Sequence, residues 1–166
     1  TDDLIKDCED LTPEEWDRYG NLYSYEEAKA NAPEGWRLPT DEDWKKLERA
    51  MGMSQGDADA TGFRGTEEGT LLQQDITGTG IALPFGGYAI VTGRPAALRF
   101  RHWREFGYFW TATEEKNETP FPDAYYRKIS FRSSQIERGI TRIVDSNYET
   151  NYPKHMSVRY VRDAVD

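Results

Sequence analysis

The sequence predicts an α+β fold, with helices in the first third and an antiparallel sheet in the second half. Three observations carry this. Helix-capping signals recur before Gly52, glycine punctuates the stretch after Met53, and apolar residues alternate with a period of two after Phe106. Thr12-Pro13-Glu14-Glu15 combines a cap, proline at the first helical position and glutamate three residues after the cap. Ser24-Tyr25-Glu26-Glu27 repeats the capping box ahead of a run to Ala32. Tyr25, Ala28 and Ala32 form one buried stripe there, and Pro33 and Gly35 stop the helix. Thr40-Asp41-Glu42-Asp43 opens a third helix, with Trp44, Leu47 and Met51 on one face and Gly52 as terminator.

Nine glycines between Gly56 and Gly93 leave no room for a helix of ordinary length. This predicts a long ordered region with short strands, Tyr88 to Thr92 among them. Gly107 to Thr113 is aromatic and β-branched, as strands prefer. Tyr125 to Phe131 and Ile136 to Val144 both alternate, and Ser133-Ser134-Gln135 between them predicts a hairpin. Met156 to Val161 reads as the closing strand.

The 166 residues suit a single domain, 1–166. The formal charge is -9, the wrong sign for a general phosphate-backbone binder, so no nucleic-acid partner is expected. No stretch approaches the roughly 20 apolar residues of a membrane span, so no transmembrane segment is expected. The single Cys8 excludes an internal disulfide and any C-x-x-C site. Charge is uneven: 8 basic and 20 acidic side chains precede Arg94, while 94–162 hold 13 basic and 8 acidic. Ten of the 14 arginines lie in that second part. The halves of one domain could simply attract each other; the alternative is an arginine-rich surface suited to anionic or planar polar ligands.

Motifs for chemistry are sparse. Gly78-Thr79-Gly80 meets Leu83 where a dinucleotide fingerprint needs glycine, and no G-K-[ST] is present. His102 and His155 stand far apart with no ligand spacing for zinc. Asp57, Asp59, Thr61, Gly62 and Glu68 occupy five positions of an EF-hand loop. Asp57, Asp59, Thr61 and Glu68 are therefore a weak calcium candidate, weakened by Arg64 at an apolar position and Gly69 where a helix should run. No other metal or cofactor is expected. Glu105, between Arg104 and Phe106, is the best of a weak set of acid/base carboxylates. Asn117-Glu118-Thr119 fits a glycosylation sequon and is read as loop chemistry.

Five segments in order resemble a known family. They are Tyr19 to Ala28, Ala32-Pro33-Glu34-Gly35-Trp36-Arg37-Leu38-Pro39-Thr40 with Trp44, Ala60 to Thr66, Gly107 to Thr113, and Ser157-Val158-Arg159-Tyr160-Val161-Arg162-Asp163. The chain is similar to the Fibrobacter succinogenes major paralogous domain, with 19–163 as the family-like core and 1–18 as an N-terminal extension. That family is similar in turn to the formylglycine-generating enzymes and to receptor-binding variable proteins. The resemblance implies a C-type-lectin-like fold: helices on a small twisted antiparallel sheet with long irregular loops. Family members carry cysteine where Ala32 and Tyr160 stand here, which implies that these two positions are neighbours. The redox cysteine pair of the formylglycine-generating enzymes is missing near Arg127 to Ser133, as are the sugar-binding calcium motifs of animal lectins.

The resemblance thus implies a non-catalytic binding module, recognising a protein or glycan ligand through the second-half face. That face corresponds to Ser133 to Tyr152 flanked by Arg99 to Glu105. Its candidate ligand-binding residues are Arg101, Trp103, Arg138, Arg142, Asn147, Tyr148, Asn151 and Tyr152, types that contact surfaces favour. Trp103 could equally be a core residue. One alternative is a retroelement-diversified receptor-binding protein with variable positions within 133–152. Another is a carboxylate-based glycan-active enzyme. The chain begins at Thr1 with no signal segment, yet the family's usual export implies an extracellular place, secreted or as a cell-surface lipoprotein.

Overall fold

A computed structural model describes residues 6–7, 22–73, 81–92, 97–146 and 151–163. The expected helix at Thr12 and the lone Cys8 lie outside them.

The capping signals act where they fall. Ser24 and Thr40 each complete a reciprocal capping box, with Glu27 and Asp43. They start α1 (Tyr25–Ala30) and α2 (Asp41–Ala50). α1 stops short of the expected Ala32, where the Asn31 N–H closes on Glu27 O at 2.9 Å ahead of Pro33. The glycine-rich stretch holds two short helices that its composition hid. These are α3 (Gln55–Asp59), capped by Ser54, and α4 (Glu68–Gln73), on either side of β3 (Gly62–Arg64).

The other strands are β1 (Lys6–Asp7), β2 (Tyr23–Ser24), β4 (Tyr88–Thr92), β5 (Ala97–Arg101), β6 (Phe106–Glu115) and β7 (Asp123–Ser130). β8 (Ile136–Arg142), β9 (Val144–Ser146), β10 (Asn151–Pro153) and β11 (His155–Met156) follow. One sheet runs β1-β5-β4-β11-β2, another β3-β8-β7-β6, and β9 pairs with β10. Every pairing between these strands is antiparallel, and β7 and β8 form the expected hairpin.

The expected closing strand from Met156 to Val161 is not continuous. β11 ends at Met156, after which the chain changes partners. Ser157 bridges to Phe109 on β6, and Val161 bridges to Arg37. A ladder needs one partner strand over several residues, and here each residue pair meets a different one. The Ser157–Phe109 and Gly87–Gly107 bridges join the two large sheets along β6.

β6 therefore buries both faces, and its consecutive residues serve different cores. Phe109 packs with Trp44, Leu72, Ile129 and Ile136 beneath α2. Trp110 packs with Tyr25, Ala28, Leu38 and Met156 on the other side.

α2 carries a second buried stripe that its apolar pattern does not announce. Asp41, Lys45 and Glu48 are buried beside Trp44. Strand alternation turns Arg127 of β7 and Arg138 of β8 toward them, and Arg64 joins from β3. Arg127, wholly buried, gives Nη1 to Asp41 Oδ1 at 2.6 Å and Nε to Glu48 Oε2 at 3.2 Å. Arg64 Nη2 reaches Glu48 Oε1 at 2.7 Å, and Arg138 Nη2 reaches Asp41 Oδ2 at 2.8 Å. Burial pushes the Asp41 carboxyl up, but its hydrogen bonds with Arg138 and Arg127 outweigh that and hold it below its ordinary value.

Candidate ligand-binding hollow

The face of the β6-β7-β8 sheet that points away from α2 carries the opposite strand phase. Phe106 and Tyr108 of β6 stand beside Tyr126 and Lys128 of β7 and Glu137 of β8, in registers Tyr108–Lys128 and Lys128–Glu137. The parallel bridge between Gly87 and Gly107 brings β4 alongside, so Tyr88 meets Tyr108. Gly87 sits at φ +62, and a Cβ there would lie 2.1 Å from Arg101 O, so only glycine allows the Arg101–Trp103 backbone to pass this close.

Together Tyr88, Tyr108, Tyr126, Thr141, Lys154 and Met156 line a hollow of about 190 Å³. The rings brace one another: Tyr88 stands edge-on to Tyr108 at 5.2 Å, and Tyr108 lies 6.0 Å from Tyr126. Tyr126 lies over Gly139, where an added Cβ would come within 2.8 Å of the ring. The ring donates its hydroxyl to Glu137 Oε2 at 3.0 Å. Two ammonium groups flank the rings. Lys128 Nζ is 4.1 Å from the Phe106 centroid and 3.8 Å from Glu137, while Lys154 Nζ donates to Thr141 Oγ1 at 2.8 Å. Burial raises the Tyr108 and Tyr126 phenols well above their ordinary value, with neighbouring Tyr88 and Glu137 adding to it respectively. Both remain neutral hydroxyls at physiological pH.

A strained corner borders this aromatic row. His102 and Arg104 adopt positive φ, +56 and +67, held by Arg104 N–H to Phe85 O at 2.9 Å and Phe106 N–H to His102 O at 2.9 Å. The His102 ring packs on Phe106 at 5.2 Å and on Tyr88 at 5.7 Å. Burial lowers its pKa, which keeps it neutral at pH 7. Glu105, the acid/base candidate, lies 4.0 Å from His102.

The expected binding residues scatter. Arg138 is a correction: it is 8% exposed and anchored to Asp41, because β8 turns it toward α2. Trp103 is another, 8% exposed and packed with Ala89 and Phe100, its ring covered by Arg104 at 4.3 Å. Arg101 is half-buried at the end of β5, and Arg142 is exposed at the end of β8. Asn147 and Tyr148 lie outside the described residues. Asn151 and Tyr152 belong to β10, paired with Ser146 and Asp145. Tyr88, Tyr108, Tyr126 and Lys154 were missed. The usable signal was the even phase of the strands, Phe106 and Tyr108 against Tyr126 and Lys128, which puts ring and ammonium on one face.

The calcium candidate is also corrected. Asp57 and Asp59 fall in α3, Thr61 precedes β3 and Glu68 opens α4, so the spacing is not a loop. Asp59 is held by Lys45 at 2.9 Å and Gln55 at 3.0 Å, and buried Glu68 accepts from Thr66 N–H at 2.6 Å. Among the described residues no three His, Cys, Asp or Glu side chains gather to hold a metal ion. Among them also, no helix is long and apolar enough to cross a membrane.

Two antiparallel sheets stitched along one strand, with α2 docked through buried ion pairs and the other helices short, place the molecule in the α+β class. Within that class the chain belongs to the Fibrobacter succinogenes major domain family, whose model matches residues 4–162. No curated protein and no solved structure matches the chain.

Proposed function

We propose that the chain is a non-catalytic extracellular binding module of C-type-lectin-like fold that recognises a protein or glycan ligand, and that the tyrosine hollow, rather than the expected face from Ser133 to Tyr152, receives it. The observation that carries this reading is the tyrosine hollow of Tyr88, Tyr108 and Tyr126. Its rings are already packed against one another, so little side-chain freedom remains to be lost on binding. Its volume, about 190 Å³, is below the roughly 300–1,000 Å³ of pockets for drug-sized molecules and suits one sugar unit or one side chain. Aromatic walls with hydroxyl and ammonium groups at the edge offer stacking and hydrogen bonds together. The carboxylate bonded to this cluster among the described residues is Glu137, engaged by Tyr126 and Lys128. A pair of carboxylates set for glycoside hydrolysis would need a second one about 5–10 Å away across the hollow.

A glycan array and a hydrolysis assay on the same sugars, run with a pull-down from surface proteins, test the reading. The expected result is binding without product, weakened at least about tenfold by Tyr108→Ala with the fold intact. Turnover, or binding indifferent to Tyr108→Ala, overturns it.

A further inference from the structure

A second cavity, of about 350 Å³, opens where the segment after β11 crosses the Trp36–Pro39 turn and α2. None of the residues lining it lines the tyrosine hollow. Its volume lies inside the range of small-molecule sites. Trp36, Trp44, Leu47 and Ile81 give it apolar walls, and Arg159 and Arg162 line it as well.

The two arginines set its chemistry. Both are exposed, and Arg162 lies over the Trp36 ring at 5.1 Å. Among the described residues neither has a carboxylate partner. Arg37 beside them is by contrast paired with both Asp43 and Asp163. Asp43 also lines the cavity, but Arg37 and the Thr40 N–H and hydroxyl occupy its oxygens. Trp36 is 41% exposed, a large ring left open beside a guanidinium. Trp44 is 3% exposed, and its indole N–H has no acceptor among the described residues. The cavity therefore combines apolar walls and two unneutralised guanidiniums.

We propose that this cavity binds a small apolar carboxylate, its anionic head on Arg159 and Arg162 and its hydrocarbon or aromatic body against Trp36, Trp44 and Leu47. A guanidinium meets a carboxylate through two parallel N–H bonds, and the apolar body supplies the rest by leaving water.

The test is titration of the whole chain with 4-phenylbutyrate, 4-phenylbutyramide and acetate, followed by calorimetry and by the indole N–H resonances. Saturable binding of 4-phenylbutyrate is expected, with the indole signals of Trp36 and Trp44 moving together. The amide, which lacks the charge, and acetate, which lacks the body, should each bind at least about tenfold more weakly. Arg159→Gln/Arg162→Gln, both at exposed positions, should weaken the acid about tenfold and leave the amide unchanged. The proposal fails if amide and acid bind alike, if acetate competes equally, or if the double variant binds the acid normally. No saturation below about 10 mM also sinks it. None of these outcomes depends on the tyrosine hollow, so the two proposals fail separately.

Discussion

Glu48 is fully buried and accepts from two arginines on different strands, Arg64 and Arg127. Taking such charges out of water is costly, and only the complete set of partners offsets it. Glu48→Gln removes one charge and strands the guanidiniums. The expected loss is about 3–5 kcal/mol, read as a lower urea midpoint with an unchanged slope; a loss under about 1 kcal/mol would mean that water already reaches the cluster. Asp43 shows the same chemistry nearer the surface. Its hydrogen bonds with Arg37, aided by the Thr40 N–H, hold its carboxyl down to about 2. A depressed folded-state value gives stability that is fully present above the unfolded value of about 3.9 and is lost as pH falls through about 2. Arg37 is 42% exposed, so screening keeps the contribution to no more than about 2 kcal/mol. Urea melts of the native chain and Asp43→Asn should therefore differ at pH 5 and converge toward pH 2. A constant gap would assign the effect to the helix cap instead.

At the scale of elements, α2 has two buried stripes of different character. Trp44, Leu47 and Met51 meet the apolar core, while Asp41 and Glu48, at i and i+7, meet the arginines of the sheet and Lys45, at i+4, pairs with Asp41 and Asp59. On the opposite face of that sheet, Gly139 is the small residue across from Tyr126 that lets its ring lie over β8. Gly139→Ala would put a Cβ 2.8 Å from the ring, which must swing aside. The expected outcome is a native-like melt, with the Tyr126 ring signals displaced and the hydroxyl bond to Glu137 broken, seen by NMR. Unchanged Tyr126 signals would show that the ring accommodates the methyl where it stands.

At the scale of the molecule, two loop segments far apart in sequence are tied into one seam. Arg37 and Val161 exchange backbone bonds at 2.7 and 2.9 Å. Ser157 is bonded to β6 through Trp110 N–H at 3.1 Å and Tyr108 O at 2.9 Å. Tyr160, expected beside Ala32, donates its hydroxyl to Ala28 O of α1 at 2.7 Å. Deleting Ser157 to Asp166 removes these bonds and takes Val158 and Tyr160 from the Trp110 core. At about 1 kcal/mol per bond, the cost of these five bonds is about 5 kcal/mol before any burial is counted. Loss of a cooperative thermal transition is expected; a transition within a few degrees of the full chain would show that the seam contributes little.

What could be read from the sequence is what neighbours within a few residues decide. Ser24 and Thr40 start their helices because the capping partner is three residues away, and Ser133-Ser134-Gln135 makes a hairpin because its two strands flank it. The alternation of Tyr125 to Phe131 marks two faces but not which face goes inside. The tertiary structure decided that. Arg127 finds Glu48 at a separation of 79 residues, so a charged stripe that reads as solvated becomes interior, and Arg138 leaves the expected binding face with it. The tyrosines of β4, β6 and β7 converge only because sheet order and register bring three distant strands together. Short-range hydrogen bonds and alternation are properties of a segment. Which charges can be buried, and which rings share a hollow, depend on partners that only the folded chain supplies.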